Sequence, residues 1–258
     1  MGIKVIVTNL DSTLLRSDRI ISDYTVNIFN KCKKQGIKIV FATDRSENSC
    51  KRFTDIIKPD AIVSNGGSLA RIGGKNVYRA VMDSGTADGL IQLLLKQPAV
   101  GCINVKTDTG NYVNEPIDIN DPSWFDYFPV THVDFTQGLG YEAYKITVEI
   151  SDEATANGIA AGFPSVNVIR FSGEDWYRFA DKNAGKWQGV KALAVDMGVD
   201  EKNIAAFGDD YNDLEMLREC GTGVAVMNGI DEVKTAADYI CGTNDNDGVA
   251  KWLKEKML

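Results

Sequence analysis

Apolar, β-branched residues fall in short runs along this chain, and each run stops at a cluster of polar residues. Ile3, Val5, Ile6 and Val7 form the first run, and Thr8, Asn9, Asp11, Ser12 and Thr13 follow at once. An unbroken apolar run of this length suits a strand buried on both faces of a parallel sheet. Residues 37–41 and 61–64 repeat the pattern, ending in Ala42-Thr43-Asp44-Arg45-Ser46 and in Asn65-Gly66-Gly67. Between the runs the apolar spacing turns helical. Val26, Ile28, Phe29 and Cys32 share one side behind Ser22 as N-cap, three lysines load the last turn, and Gly36 marks the stop. A second helix spans 47–57. Residues 69–72 and 76–81, split by Gly73-Gly74, read as a hairpin.

The rhythm changes near residue 82. A helix over 86–96 is followed by short strands at 101–106, 112–114, 144–150, 166–171 and 176–180, with a helix over 152–162 among them. Helices mixed with antiparallel strands differ from the flanking βα pattern and predict an inserted α+β domain. Trp124, Phe125, Tyr127 and Phe128 cluster there, read either as core and loop anchors or as substrate contacts. His132, the only histidine, has no companion and reads as structural. From 183 the βα rhythm returns, with helices at 187–197, 214–220, 230–237 and 248–256 and strands at 204–207, 224–228 and 239–240. The predicted architecture is a doubly wound parallel α/β core from residues 1–81 and 183–258, with an α+β domain, 82–182, inserted in it.

Composition narrows the function. A net charge of −8 argues against nucleic-acid or anionic-membrane partners, which need a basic face. Five scattered cysteines without paired spacing suggest reduced thiols in a cytoplasmic protein. The opening residues run directly into a strand without a signal-peptide pattern, and no apolar run approaches membrane-spanning length.

The candidate chemistry sits where the core strands end, because open α/β sheets bind ligands outside the carboxyl ends of their strands. Asn9 and Asp11 lean the same way if strand geometry persists past Thr8. Thr43 to Ser46 reads either as a plain βα turn or as a phosphate site at a helix start. Asn65 lies in a turn that reads equally as glycine-rich punctuation or as a substrate contact. Gly208-Asp209-Asp210-Tyr211-Asn212-Asp213 clusters carboxylates and a carboxamide after a strand, the hard oxygen donors that Mg²⁺ prefers.

Asn9-Leu10-Asp11-Ser12-Thr13, then Thr43, Lys186, and Gly208-Asp209 with Asn212-Asp213 fall in the order of the haloacid dehalogenase motifs. The chain resembles the Cof-type branch of that superfamily over its whole length, including the tail Val-Ala-Val-Met-Asn at 224–228. The resemblance implies a Rossmann-like core with a large α/β cap and a Mg²⁺-dependent phosphatase acting on small phosphorylated metabolites such as sugar phosphates. It places the nucleophile at Asn9, the general acid and base at Asp11, phosphate contacts at Thr43 and Lys186, and further substrate contacts at Asn65 and Asn212. Metal ligation falls to Asn9, Asp11, Asp209 and Asp213. The family pattern has Asp at position 9, Gly at position 12 and often Gly at position 44. A neutral amide is a far weaker nucleophile than a carboxylate, so the resemblance implies a phosphatase impaired at its first step. A substrate-trapping form, a natural variant and a non-catalytic phospho-ligand binder all fit that reading. A receiver-type signalling domain pairs similar residues, but in roughly half this length and without an inserted domain. The cap connections flank the second and third motifs, so the cap is expected to close over the crevice and to choose the substrate.

Overall fold

The computed structural model describes residues 2–115 and 130–258. Contacts divide the chain into two compact units, 1–78 with 185–258, and 79–184. The aromatic cluster at 124–128 lies outside the described residues.

The first unit is built on a sheet of order β14-β13-β12-β1-β2-β3-β4-β5. Its strands are β1 (Val5–Thr8), β2 (Lys38–Ala42), β3 (Ala61–Ser64), β4 (Leu69–Ile72), β5 (Lys75–Arg79), β12 (Ile204–Gly208), β13 (Thr222–Val226) and β14 (Tyr239–Cys241). The six strands from β14 to β3 run parallel, and β4 turns back antiparallel on β3. Side chains alternate across each strand, so β1 serves two cores at once. Ile6 packs with Phe29 of α1 (Asp23–Lys34), Phe53 of α2 (Glu47–Ile57) and Trp252 and Leu253 of α8 (Gly248–Met257). Val5 and Val7 pack with Trp187 and Leu193 of α5 (Lys186–Met197), Met216 and Leu217 of α6 (Leu214–Glu219) and Val233 of α7 (Asp231–Ala236). Helices on both faces of a parallel sheet make this a doubly wound α/β fold. Ser22 caps α1 by accepting from Thr25 N–H, and Ser46 caps α2 through Ser49 N–H.

The second unit carries a sheet of order β10-β11-β9-β6-β7-β8. Its strands are β6 (Val100–Lys106), β7 (Asn111–Val113), β8 (Thr131–His132), β9 (Lys145–Ile150), β10 (Val166–Arg170) and β11 (Trp176–Asp181). One face, with Ile103, Val105, Ile146, Val148 and Phe179, packs with α3 (Ser84–Leu94) and α4 (Glu153–Ala161). The other face is polar yet buried. Register places Lys106 beside Lys145, and Asn104 and Arg178 on either side of Thr147. Burial and the neighbouring Lys145 push the Lys106 amine down to about 6. The sheet departs from the antiparallel expectation at its edge, where β8 pairs parallel to β7. His132 is exposed there, with Nε2 3.0 Å from the Asn114 carbonyl oxygen.

All five cysteines are free and buried. No helix among the described residues is long and apolar enough to cross a membrane.

Candidate active site

β1 and β12 are parallel neighbours, with Thr8 opposite Phe207. Asn9 and Asp209 therefore leave adjacent strand ends, and each is followed by a turn. From β1 the chain builds outward through β2 and β3, then returns on the other side through β12. That reversal is a topological switch point, where doubly wound sheets open a crevice.

Asn9 caps a wide turn, Leu10–Leu14, closed by Leu15 N–H on the Leu10 carbonyl at 2.8 Å. Its Oδ1 accepts from Leu10 N–H at 2.8 Å. Its Nδ2 donates to the main-chain oxygen of Asp11 at 3.0 Å and to Asp209 Oδ1 at 2.8 Å. Thr13 Oγ1 donates to the same Asp209 oxygen. These partners fix the amide's orientation, since the reversed amide would face two acceptors with an acceptor.

Strand geometry stops at Thr8, so Asp11 and Asn9 do not lean alike as the two-residue spacing suggested. Asp11 turns towards Arg45, which grips its carboxylate through Nε and Nη2 at 2.7 and 2.6 Å. Arg45 is buried against the ring of Phe53, its guanidinium carbon 5.2 Å from the ring centroid. The paired geometry fixes both position and plane of the Asp11 carboxylate. Sequence reasoning missed Arg45 and Thr13. Both stood inside the quoted motifs, but only the fold shows which carboxylate each meets.

Lys186 opens α5 and is fully buried. Its Nζ lies 2.8 Å from Asp213 Oδ1 and 3.7 Å from Asp44 Oδ2. Burial disfavours the ammonium, but Asp213 and Asp44 outweigh it and hold Lys186 above the usual lysine range. Asp213 Oδ2 accepts from the N–H groups of Asp209 and Asp210 at 3.0 and 3.3 Å. Gly208 makes that fold-back possible, because a Cβ there would stand 2.4 Å from Asp213 Cβ. Burial and the neighbouring Asp213 push the Asp209 carboxyl up to about 7, against the pull of Thr13, Lys186 and Asn9.

Thr43 is buried, and its Oγ1 accepts from Arg45 N–H at 3.1 Å. Asn65 follows β3 with φ +52°, and its buried Oδ1 finds no donor among the described residues. The adjoining Gly67 is required by packing, since a Cβ there would lie 2.0 Å from the Gly185 carbonyl carbon. Asn212 Nδ2 donates to Asp44 Oδ2 at 2.7 Å. Asp44 thus faces Asn212 and, at 3.7 Å, Lys186 Nζ.

Of the residues expected to hold metal, the main-chain oxygen of Asp11 and Asp209 Oδ1 converge on one atom, Asn9 Nδ2. These two oxygens satisfy both hydrogens of the Asn9 amide. Mg²⁺ suits such oxygens, and a carboxylate at position 9 would add one more. Asp213, also expected to hold metal, pairs with Lys186 and accepts from the N–H groups of Asp209 and Asp210. Among the described residues, no three His, Cys, Asp or Glu side chains gather to hold a metal ion.

The sequence profile of the haloacid dehalogenase-like hydrolases matches residues 6–253. The chain belongs to this family. Its relatives include the stress response protein YhaX of Bacillus subtilis, 28% identical across 99% of this chain and 93% of that protein. The B. subtilis 5-amino-6-(5-phospho-D-ribitylamino)uracil phosphatase YcsE is 26% identical across 100% and 97%. Among solved structures, the haloacid dehalogenase subclass IIB sugar phosphatase BT4131 superposes with a TM-score of 0.86 over 98% of both chains at 22% identity. That likeness establishes the fold.

Proposed function

We propose that this fold serves a Mg²⁺-dependent phosphomonoester hydrolase working through a phospho-aspartate intermediate, and that Asn9 stops the chain as written before that intermediate forms. The observation carrying this reading is the meeting of Asn9, Thr13 and Asp209 at the ends of two adjacent parallel strands, with the Lys186–Asp213 pair and the Asp11–Arg45 pair in the same unit.

Asp209, the Asp11 main-chain oxygen and an oxygen at position 9 would hold Mg²⁺, which supplies positive charge to the phosphoryl oxygens. Lys186 adds a buried ammonium, and Thr43 adds a hydroxyl at the end of β2. With a carboxylate at position 9, one of its oxygens attacks phosphorus and the ester P–O bond breaks. Asp11 gives its proton to the departing oxygen, then takes one from the water that hydrolyses the acyl phosphate. Asp11 must take up that proton before it can give it, so Arg45 holds the carboxylate in plane at rest and yields one of its oxygens for the step. An amide at position 9 offers a neutral oxygen of much lower nucleophilicity, and it is committed to Leu10 N–H. Binding survives that change while turnover fails.

Small phosphorylated metabolites such as sugar phosphates are the proposed substrates. The name of YcsE, the phosphatase of a phosphoribityl compound, supports this. Residues 82–182 are proposed as the cap that selects among such ligands. The net charge of −8 supports neither a nucleic-acid nor an anionic-membrane partner. The amide at position 9 favours one second reading, a non-catalytic phospho-ligand binder.

A panel of phosphomonoesters assayed with the chain and with its Asn9→Asp variant separates the two. The hydrolase reading expects a gain of about a thousandfold, equivalent to roughly 4 kcal/mol of barrier. Equal rates would favour the binder. Mass spectrometry of the parent excludes trace deamidation of Asn9 as the source of any activity.

A further inference from the structure

We propose that Asp44 is a built-in competitor for the anion of the ligand, and so decides which ligands the site admits. This rests on the reading of Lys186 and Asn212 as phosphoryl contacts. Both already hold a carboxylate oxygen. Asn212 Nδ2 donates to Asp44 Oδ2 at 2.7 Å, and the same oxygen stands 3.7 Å from Lys186 Nζ. A carboxylate there makes the contacts that phosphoryl oxygens would make.

Charge count gives the contact its consequence. Asp213, fully buried at 2.8 Å from Nζ, is enough to neutralise Lys186. Asp44 then adds a further carboxylate beside an ammonium that Asp213 already pairs. A phosphoryl dianion entering the site must share Lys186 with Asp44 or displace it. Displacement is open to Asp44, whose side chain is 25% exposed, and closed to Asp213 at 0%. The two departures at positions 9 and 44 thus oppose one another. Asn9 removes a carboxylate from the site and Asp44 adds one. Restoring the carboxylate at position 9 alone produces a site with more negative charge than either the chain as written or the usual family pattern.

Calorimetric titration of the full chain with inorganic phosphate tests this directly. Asp44→Asn keeps the side-chain shape and the contact with Asn212 while removing the charge. Asp44→Gly removes the side chain altogether. Both should bind phosphate at least tenfold more tightly than the parent, and thermal melts report whether either variant has lost its fold. In the Asn9→Asp background, Asp44→Gly should raise kcat/KM chiefly by lowering KM. Phosphate affinity in folded Asp44→Asn equal to or weaker than the parent's would overturn the proposal. The outcome is separable from the hydrolase reading. Turnover by Asn9→Asp without tighter phosphate binding in Asp44→Asn sinks the role of Asp44 alone. Tighter binding in Asp44→Asn with an inert Asn9→Asp sinks the hydrolase alone.

Discussion

The side-chain amide of Asn9 donates both of its hydrogens. Its two hydrogens meet the Asp11 carbonyl oxygen and Asp209 Oδ1, the same oxygens that a divalent ion would draw together. A metal entering there must turn the amide, give up both bonds and detach Oδ1 from Leu10 N–H. Net hydrogen bonds of this kind contribute roughly 1 kcal/mol each, and the amide brings no charge to repay their loss. Asn9→Asp removes the hydrogens and adds an anion. Isothermal titration with Mg²⁺ should therefore show the variant binding at least tenfold more tightly than the parent. Equal affinity would mean that the amide does not occupy the metal position. The sequence made the identity of these residues legible, because motif order depends on residue type alone. Their partners were not legible. Nothing in the string assigns Asp11 to Arg45, Asp213 to Lys186 or Asp44 to Asn212, since each pairing depends on how separate strand ends and turns come together.

Regular elements were readable to within a few residues because burial imposes a period. The apolar runs of β1, β2 and β3 and the capped starts of α1 and α2 follow from that period and from Ser22 and Ser46. Irregular elements carry no period. The wide turn Leu10–Leu14 has none, although it places both motif residues. The strand expected over 224–228 starts two residues earlier, because Thr222 and Gly223 belong to β13, whose neighbour β12 pairs Ala205 with Thr222. β8 has only two residues, too few to show alternation. Ser12 lies in that wide turn with φ +54°, a left-handed conformation that costs a residue with a Cβ roughly 1–2 kcal/mol. Glycine avoids that strain but loses more chain entropy on folding. Ser12→Gly should stabilise the protein by up to about 1 kcal/mol, read as a higher urea midpoint at unchanged slope. The main-chain contact from Asn228 Nδ2 to the Ser12 carbonyl oxygen, 2.7 Å, is available to either residue. A lower midpoint would show that the Ser12 side chain contributes more than its backbone costs.

At the scale of the whole molecule, the chain carries its family's fold over 98% of its length, and the expected motif pattern is broken at positions 9, 12 and 44. The proposed phosphatase site has carboxylates after β12, while position 9 holds an amide. Covalent labelling tests that combination most directly. Asn9→Asp and the parent are mixed with a phosphomonoester and Mg²⁺, quenched in acid within the first turnover, digested and weighed. The account predicts one added phosphoryl group on the variant's peptide spanning position 9 and none on the parent's. Turnover by the variant with no label at position 9, or turnover by a parent whose Asn9 is intact, would contradict it.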